Sequence, residues 1–148
     1  MLMKALALAA LILISGTTTS TAEELAKPLV SNKPVKVTSI EAAGPIFASP
    51  SAASENGPDG PAKDVLLLRS KDKHVEMGLY SAGPSESDIA SYPDDEFMYF
   101  LVGGVTLTSA DGTVLQVTAG EGVAMPRGWR GHWTTKEYKK YYVTYTTK

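Results

Sequence analysis

The chain has 148 residues, 43% of them hydrophobic, a formal net charge of −2 and no cysteine. That length accommodates one domain rather than two. The lack of cysteine excludes a disulfide framework, thiolate metal sites and thiol catalysis, and mild acidity without a basic block gives no electrostatic footprint for nucleic acid.

In chain order, Lys4 precedes an unbroken apolar run of ten residues, Ala5 to Ile14, followed by Gly16, three threonines and Ser20-Thr21-Ala22 before Glu23-Glu24. A positive start, a short apolar run and small residues at the end predict a cleavable signal peptide over residues 1–22, cut after Ala22. The run is half the roughly 20 residues a membrane span needs, so no membrane partner is expected after cleavage. Removing 22 of the 148 residues leaves 126, and losing Lys4 moves the net charge from −2 to −3. An exported chain without disulfides points to a periplasmic or secreted protein.

Residues 23–62 differ in texture. Pro28, Pro34, Pro45, Pro50, Pro58 and Pro61 fall here, with Ser/Ala and Gly/Asp runs between them. Pro removes donors and Gly adds entropy, so this stretch reads as an arm or linker without long regular elements. Val35 to Ile40 is its one candidate strand.

The texture of residues 63–148 is that of strands. Asp64 to Arg69 is a short apolar run. His74 to Ser81 alternates, with Val75, Met77 and Leu79 on one face and His74, Glu76, Gly78 and Tyr80 on the other. Glu96 to Val102 is aromatic and apolar, and Val105 to Thr108 continues beyond Gly103-Gly104. Asp111-Gly112 predicts a hairpin turn, since both residues tolerate positive φ, with Thr113 to Val117 returning. Gly122 to Met125, the region of Trp133, and Tyr138 to Thr147 complete the set. No window has a helical period, and strands at this spacing predict an all-β sandwich or barrel.

Two motifs narrow the fold. Gly120-Glu121-Gly122-Val123-Ala124-Met125-Pro126-Arg127-Gly128 has the form G-x5-P-x-G, and Glu96 stands seven residues before Gly103 in the form E-x6-G. Together they resemble the paired motifs of the cupin superfamily, which implies a single-domain double-stranded β-helix, or jelly-roll barrel. Tyr92-Pro93-Asp94-Asp95-Glu96-Phe97, Pro126-Arg127-Gly128-Trp129 with His132-Trp133, and Lys139-Lys140-Tyr141-Tyr142-Val143 resemble the branch of ureidoglycine aminohydrolase-like and ethanolamine-utilisation cupins.

A metal-binding cupin of the common kind uses two His and the Glu of the first motif and one His of the second. Here the first-motif His positions fall within Ile89 to Tyr92 and the second is Gly131, so only Glu96 matches. One carboxylate holds a borderline divalent ion poorly, and no metal or other cofactor is expected. His132 lies one residue past the expected place, which on a strand turns it to the opposite face. His74, Glu76 and Glu96 could instead form a rearranged site if that face of the strand points inward; otherwise the face is a polar exterior with Val75, Met77 and Leu79 in the core.

Glu96 reads either as a pocket carboxylate or as one tied to nearby backbone amides. Met98 and Phe100 share its face, and Trp133, two residues after Gly131, would face inward too. With Tyr80 these residues form the expected ligand pocket: Glu96, Met98, Phe100, Trp133 and Tyr80. An aromatic wall with a carboxylate suits a small organic ligand with an apolar body and a polar or cationic end. Tyr80, Tyr99, Tyr141 and Tyr142 read individually as packing residues, and Lys136, Lys139, Lys140 and Lys148 as a solvated edge that discourages strand pairing. The catalytic role is open. The leading expectation is an exported, small-molecule-binding cupin without a catalytic metal. One alternative is a metal-dependent enzyme of the ureidoglycine aminohydrolase-like kind or of other small-metabolite chemistry, and another a homodimeric assembly module, since a fold alone does not choose among functions.

Overall fold

A computed structural model describes residues 33–57 and 60–147. The expected signal peptide and the first ten residues of the arm lie outside the described residues. After them come a short helix, α1 (Ser39–Ala43), a 3-10 turn (Pro45–Ala48) and nine strands: β1 (Ala53–Gly57), β2 (Gly60–Arg69), β3 (Val75–Ala82), β4 (Ser85–Ile89), β5 (Asp95–Ser109), β6 (Val114–Thr118), β7 (Gly122–Met125), β8 (Gly131–Thr135) and β9 (Tyr138–Tyr145).

The strands form one curled, wholly antiparallel sheet in the order β1-β2-β3-β9-β5-β8-β4, with β6 and β7 also paired to β5. Strand β5 carries the curl. Its first half pairs with β7 and β9, its second half with β6 and β8. The bend comes where the β5–β9 register shifts between Phe100 and Val102 and Gly103 takes φ +65° with its Cα against the Glu137 carbonyl. An added Cβ there would lie 1.9 Å from that oxygen, so the glycine of the first motif is a packing requirement of the corner. In the second motif Gly128 has φ +82° and the Trp129 amide donates to the Pro126 carbonyl at 3.1 Å. This corner leads β7 into β8.

The curled sheet has two apolar layers. Inside, Met98, Phe100, Val105, Leu107, Val117, Val123 and Met125 pack with Trp133 and Tyr138. Outside, Val65 and Leu79 are sealed by Ala42, Ile46 and Phe47 of the N-terminal segment. Burying side chains such as Phe47 and Leu79 stabilises by about 1.5–3 kcal/mol each, which ties that segment to the barrel.

Several sequence expectations change. No strand forms over Val35 to Ile40. Thr38 caps a helix instead: its hydroxyl accepts from the Glu41 amide and the Glu41 carboxylate accepts from the Thr38 amide, the reciprocal pattern of a capping box. β1 and β4 carry no apolar alternation for the sequence to show: Ser85–Ile89 is mostly polar and half exposed, and Ala53, Ser54 and Glu55 are exposed. The two expected strands around Gly103-Gly104 are one 15-residue strand. At the hairpin after β5 only Gly112 has positive φ; Asp111 contributes through its carboxylate, which accepts from the Thr113 amide at 2.9 Å.

Neither reading of the β3 faces was complete: the inner face carries polar side chains, and on the outer face Leu79 is buried but Met77 is exposed. Leu79 is buried beneath the N-terminal segment, while Glu76, Gly78 and Tyr80 face the barrel interior. The lysine edge is corrected too. β9 is a central strand between β3 and β5. Lys140 on it is only 6% exposed, and Lys139 donates to the Ala43 carbonyl at 2.6 Å, closing the end of α1.

Candidate functional site

The interior opens into a cavity of about 510 Å³. It is set by alternation on three strands. β3 contributes Glu76 and Tyr80, β9 contributes Tyr138, Lys140, Tyr142 and Thr144, and β5 contributes Glu96. Asp64 of β2, Trp133 of β8, Glu55 of β1 and Tyr92 and Asp94 of the loop before β5 complete the wall. Gly78 makes the arrangement possible: a Cβ there would lie 2.6 Å from the Val65 carbonyl and 2.7 Å from the Tyr142 hydroxyl, so the bare backbone lets Tyr142 lie across β3.

At the base of the cavity is a buried ion pair. Lys140 Nζ donates to Glu96 Oε1 at 2.7 Å, with the two side chains 7% and 9% exposed. The other Glu96 oxygen accepts from the Tyr92 hydroxyl. Nζ also lies 2.9 Å from Met98 Sδ and 5.7–5.9 Å from the ring centroids of Tyr80, Trp133 and Tyr138, within the range in which ring faces attract a cation. Burial pulls the Lys140 ammonium below the usual lysine range, and Glu96 opposes that shift. Burial, with the Glu96 charge adding to it, pushes the Tyr92 phenol well up.

Higher on the wall, Tyr142 donates to Asp64 at 2.9 Å and Tyr80 to Glu55 at 3.0 Å. Burial raises Asp64 above the usual carboxylate range; its bond from Tyr142 works against this, and the nearby Glu55 and Glu76 reinforce it. Glu76 also pairs with Arg69 at the rim.

Of the expected pocket residues, Glu96, Trp133 and Tyr80 line the cavity. Met98 and Phe100 do not: both are fully buried in the core beneath it, packed with Val105 and Leu107. They share the face of Glu96, but the curl of β5 closes over them, and Met98 meets the site only through its sulfur. Glu96 is held by side chains rather than by backbone amides. His132 lies on the outer face of β8, its ring nitrogens 2.7 Å from Asp88 and 3.0 Å from Glu86. His74 precedes β3 and its Nδ1 lies 2.5 Å from the Thr146 carbonyl, so it does not join Glu76 and Glu96.

Lys140, Tyr92, Tyr138, Tyr142 and Asp64 were missed as site residues. The available signal was the alternation Tyr138, Lys140, Tyr142, Thr144 on one face of β9. It was ambiguous because the other face, Tyr141, Val143 and Tyr145, is as apolar.

The donor set does not fit a divalent metal. Both Glu96 oxygens are engaged by Lys140 and Tyr92, and the groups around them are an ammonium, a thioether and ring faces rather than imidazoles or carboxylates. Among the described residues no three His, Cys, Asp or Glu are grouped to hold a metal ion.

The model of the EutQ-like cupin domain matches residues 69–142, half of the chain. The chain belongs to the EutQ-like cupin family. No curated protein matches it, but solved structures share the fold. A DUF861-family protein of unknown function from Pseudomonas syringae superposes with a TM-score of 0.59 at 20% identity, over 63% of this chain and 43% of that one. A protein of unknown function from Rhizobium leguminosarum gives 0.53 at 22% identity, over 78% and 99%. A putative ethanolamine utilization protein Q from Salmonella typhimurium gives 0.51 at 16% identity, over 66% and 96%. This cupin thus spans less than half of the Pseudomonas protein. At these identities the likeness is one of fold. The ureidoglycine aminohydrolase side of the sequence resemblance has no counterpart among the three.

Proposed function

We propose that this EutQ-like cupin binds a small organic molecule with a cationic end in the barrel cavity, and that it does so without a bound catalytic metal. The supporting observation is the charge distribution on the cavity wall. Its one lysine, Lys140, is matched by Glu96, while Glu55, Asp64 and Asp94 carry no ion pair among the described residues. Tyr80, Trp133 and Tyr138 add ring faces. Carboxylates over an aromatic-lined space of a few hundred Å³ favour an amine or quaternary ammonium group over an anion.

The test is a thermal-shift panel of small amines, quaternary ammonium compounds, neutral alcohols and carboxylates on untagged mature protein, paired with elemental mass spectrometry. Amines should raise the melting temperature, and go on raising it with the logarithm of their concentration above Kd, and carboxylates should not. Stoichiometric transition metal that is lost in Glu96→Ala would overturn the proposal in favour of a metal-dependent enzyme. N-terminal sequencing of protein recovered outside the cytoplasm tests the further proposal that the chain is exported and cut after Ala22.

A second reading rests on the outer face. Leu68, Met77, Val143 and Phe97 stand side by side on β2, β3, β9 and β5, each between 36% and 51% exposed. A contiguous apolar row of this kind supports a homodimer closed by this face. Light scattering after size exclusion decides it: a monomer at micromolar concentration removes the reading.

A further inference from the structure

We propose that Lys140 is an amine nucleophile that captures the carbonyl group of a small aldehyde or ketone as an imine inside the barrel cavity. The inference rests on the cavity being a ligand site, as proposed above, and adds the reacting group and the ligand's other end.

Geometry is the first support. Lys140 is a primary amine 6% exposed on a wall that borders about 510 Å³ of space, so a carbonyl group can approach it from one side only. Glu96 Oε1 lies 2.7 Å from Nζ, within reach for proton transfer. Tyr92 holds the other Glu96 oxygen and so fixes the carboxylate's orientation. Nζ is flanked by Tyr80, Trp133 and Tyr138, and no second cationic side chain lines the cavity among the described residues. Desolvation favours the neutral, nucleophilic form of a buried lysine, which is the usual way such a residue becomes reactive.

The chemistry balances without an added oxidant or reductant. The ammonium gives one proton to Glu96. The neutral nitrogen attacks the carbonyl carbon, forming a C–N bond, and the second nitrogen proton passes to the carbonyl oxygen to leave a neutral carbinolamine. Glu96, now protonated, returns its proton to that hydroxyl group. The C–O bond breaks, water leaves, and the nitrogen lone pair completes the C=N bond. The products are one protonated imine at Lys140, paired with the Glu96 carboxylate, and one water. The carboxylates Asp64, Glu55 and Asp94 line the same cavity without an ion pair to Lys140, so the favoured ligand carries its positive charge at the end remote from the carbonyl.

The experiment is reductive trapping. The mature protein is incubated near neutral pH with propanal, betaine aldehyde or glyoxylate in the presence of cyanoborohydride, and the modified lysines are mapped by peptide mass spectrometry over time. Lys140 should be labelled by betaine aldehyde faster than exposed Lys71 and Lys136, by roughly 100-fold, the scale of positioned acid–base assistance. Propanal should follow and glyoxylate should be slowest. Glu96→Gln should slow labelling at position 140 while leaving Lys71 and Lys136 unchanged. Lys140→Arg, which keeps the charge, should lose the fast site and retain the slow ones. Labelling that leaves Lys140 slower than Lys71 and Lys136 overturns the imine chemistry, even where amines stabilise the protein. Fast labelling of Lys140 that is equal for all three aldehydes upholds the nucleophile and overturns the cationic-ligand reading.

Discussion

Replacing Lys140 by Met removes one half of an ion pair whose side chains are 7% and 9% exposed and whose charged atoms are 2.7 Å apart. At an effective dielectric near 20, the attraction at that distance is about 6 kcal/mol. Desolvation costs several kcal/mol per ion, so the intact pair is close to neutral for folding, while a lone buried charge is not. Lys140→Met therefore leaves the Glu96 carboxylate with only the Tyr92 hydroxyl and should cost about 3–5 kcal/mol. Glu96→Gln should cost a similar amount by stranding the ammonium among ring faces. The double variant strands neither charge, and its Gln oxygen still accepts from Tyr92. With about 1 kcal/mol left in the double variant, the cycle should give a coupling energy of about 5–9 kcal/mol, above the range usual for neighbouring residues because each single variant strands a buried charge. Urea unfolding followed by circular dichroism reads this as midpoint losses of roughly 2 M for each single variant at an m-value near 2 kcal/mol/M, with most of the loss recovered in the double variant. Single losses under about 1 kcal/mol that simply add, as for an exposed pair, would refute the reasoning and mean that water fully solvates the base of the cavity.

Asp64→Asn should separate stability from binding. Burial raises the Asp64 carboxyl, so above its unfolded value near 3.8 the folded state holds more proton than the unfolded one, and stability is lost as pH rises through the folded value. The variant should melt higher than the parent at pH 7, lose that advantage below about pH 4, and bind amines more weakly in the thermal-shift panel. Gly103→Ala meets both a positive φ and the Glu137 carbonyl at 1.9 Å. It should destabilise by more than the 1–3 kcal/mol usual for overpacking, and by more than Gly78→Ala, whose Cβ meets the Val65 carbonyl at 2.6 Å and the Tyr142 hydroxyl at 2.7 Å without a positive φ; urea midpoints rank the two. His132 lies above the usual imidazole value, its bond to Asp88 being the largest cause. An NMR titration should place its midpoint above 6.5 and show it falling in Asp88→Asn. Any stabilising effect of its charge is present below the unfolded value and disappears as pH rises through the folded one.

The barrel was legible because its corners are chemical necessities: Gly103 and the Pro126–Gly128 turn are demanded by close backbone approach and positive φ, whatever the surrounding side chains. The cavity was half legible. Glu96, Tyr80 and Trp133 fall on alternating positions of strands whose other faces differ from them in character. Lys140 escaped because a lysine at the end of a chain reads as solvated until β9 is known to be a central strand, and that depends on pairing with β3 and β5, far away in sequence. Asp64 and Tyr92 escaped for a like reason: Asp64 meets Tyr142 across β3, and the loop that carries Tyr92 is tied to Gly128 and Trp129, all far away in sequence. The helix at Ser39 was missed because five residues are too few to establish a 3.6-residue period, although Thr38 and Glu41 stand at the capping spacing.

Strand β5 belongs to both halves of the curled sheet, hydrogen-bonded along its length to four other strands. Opening either half at β5 disturbs contacts in the other, so the strands paired to β5 should open together. The amides of β5, such as those of Met98 and Leu107, should exchange with solvent deuterium only through global unfolding, and with one common free energy of opening. The sheet's outermost strands, β1 and β4, each paired to a single neighbour, should release their amides by local fraying long before.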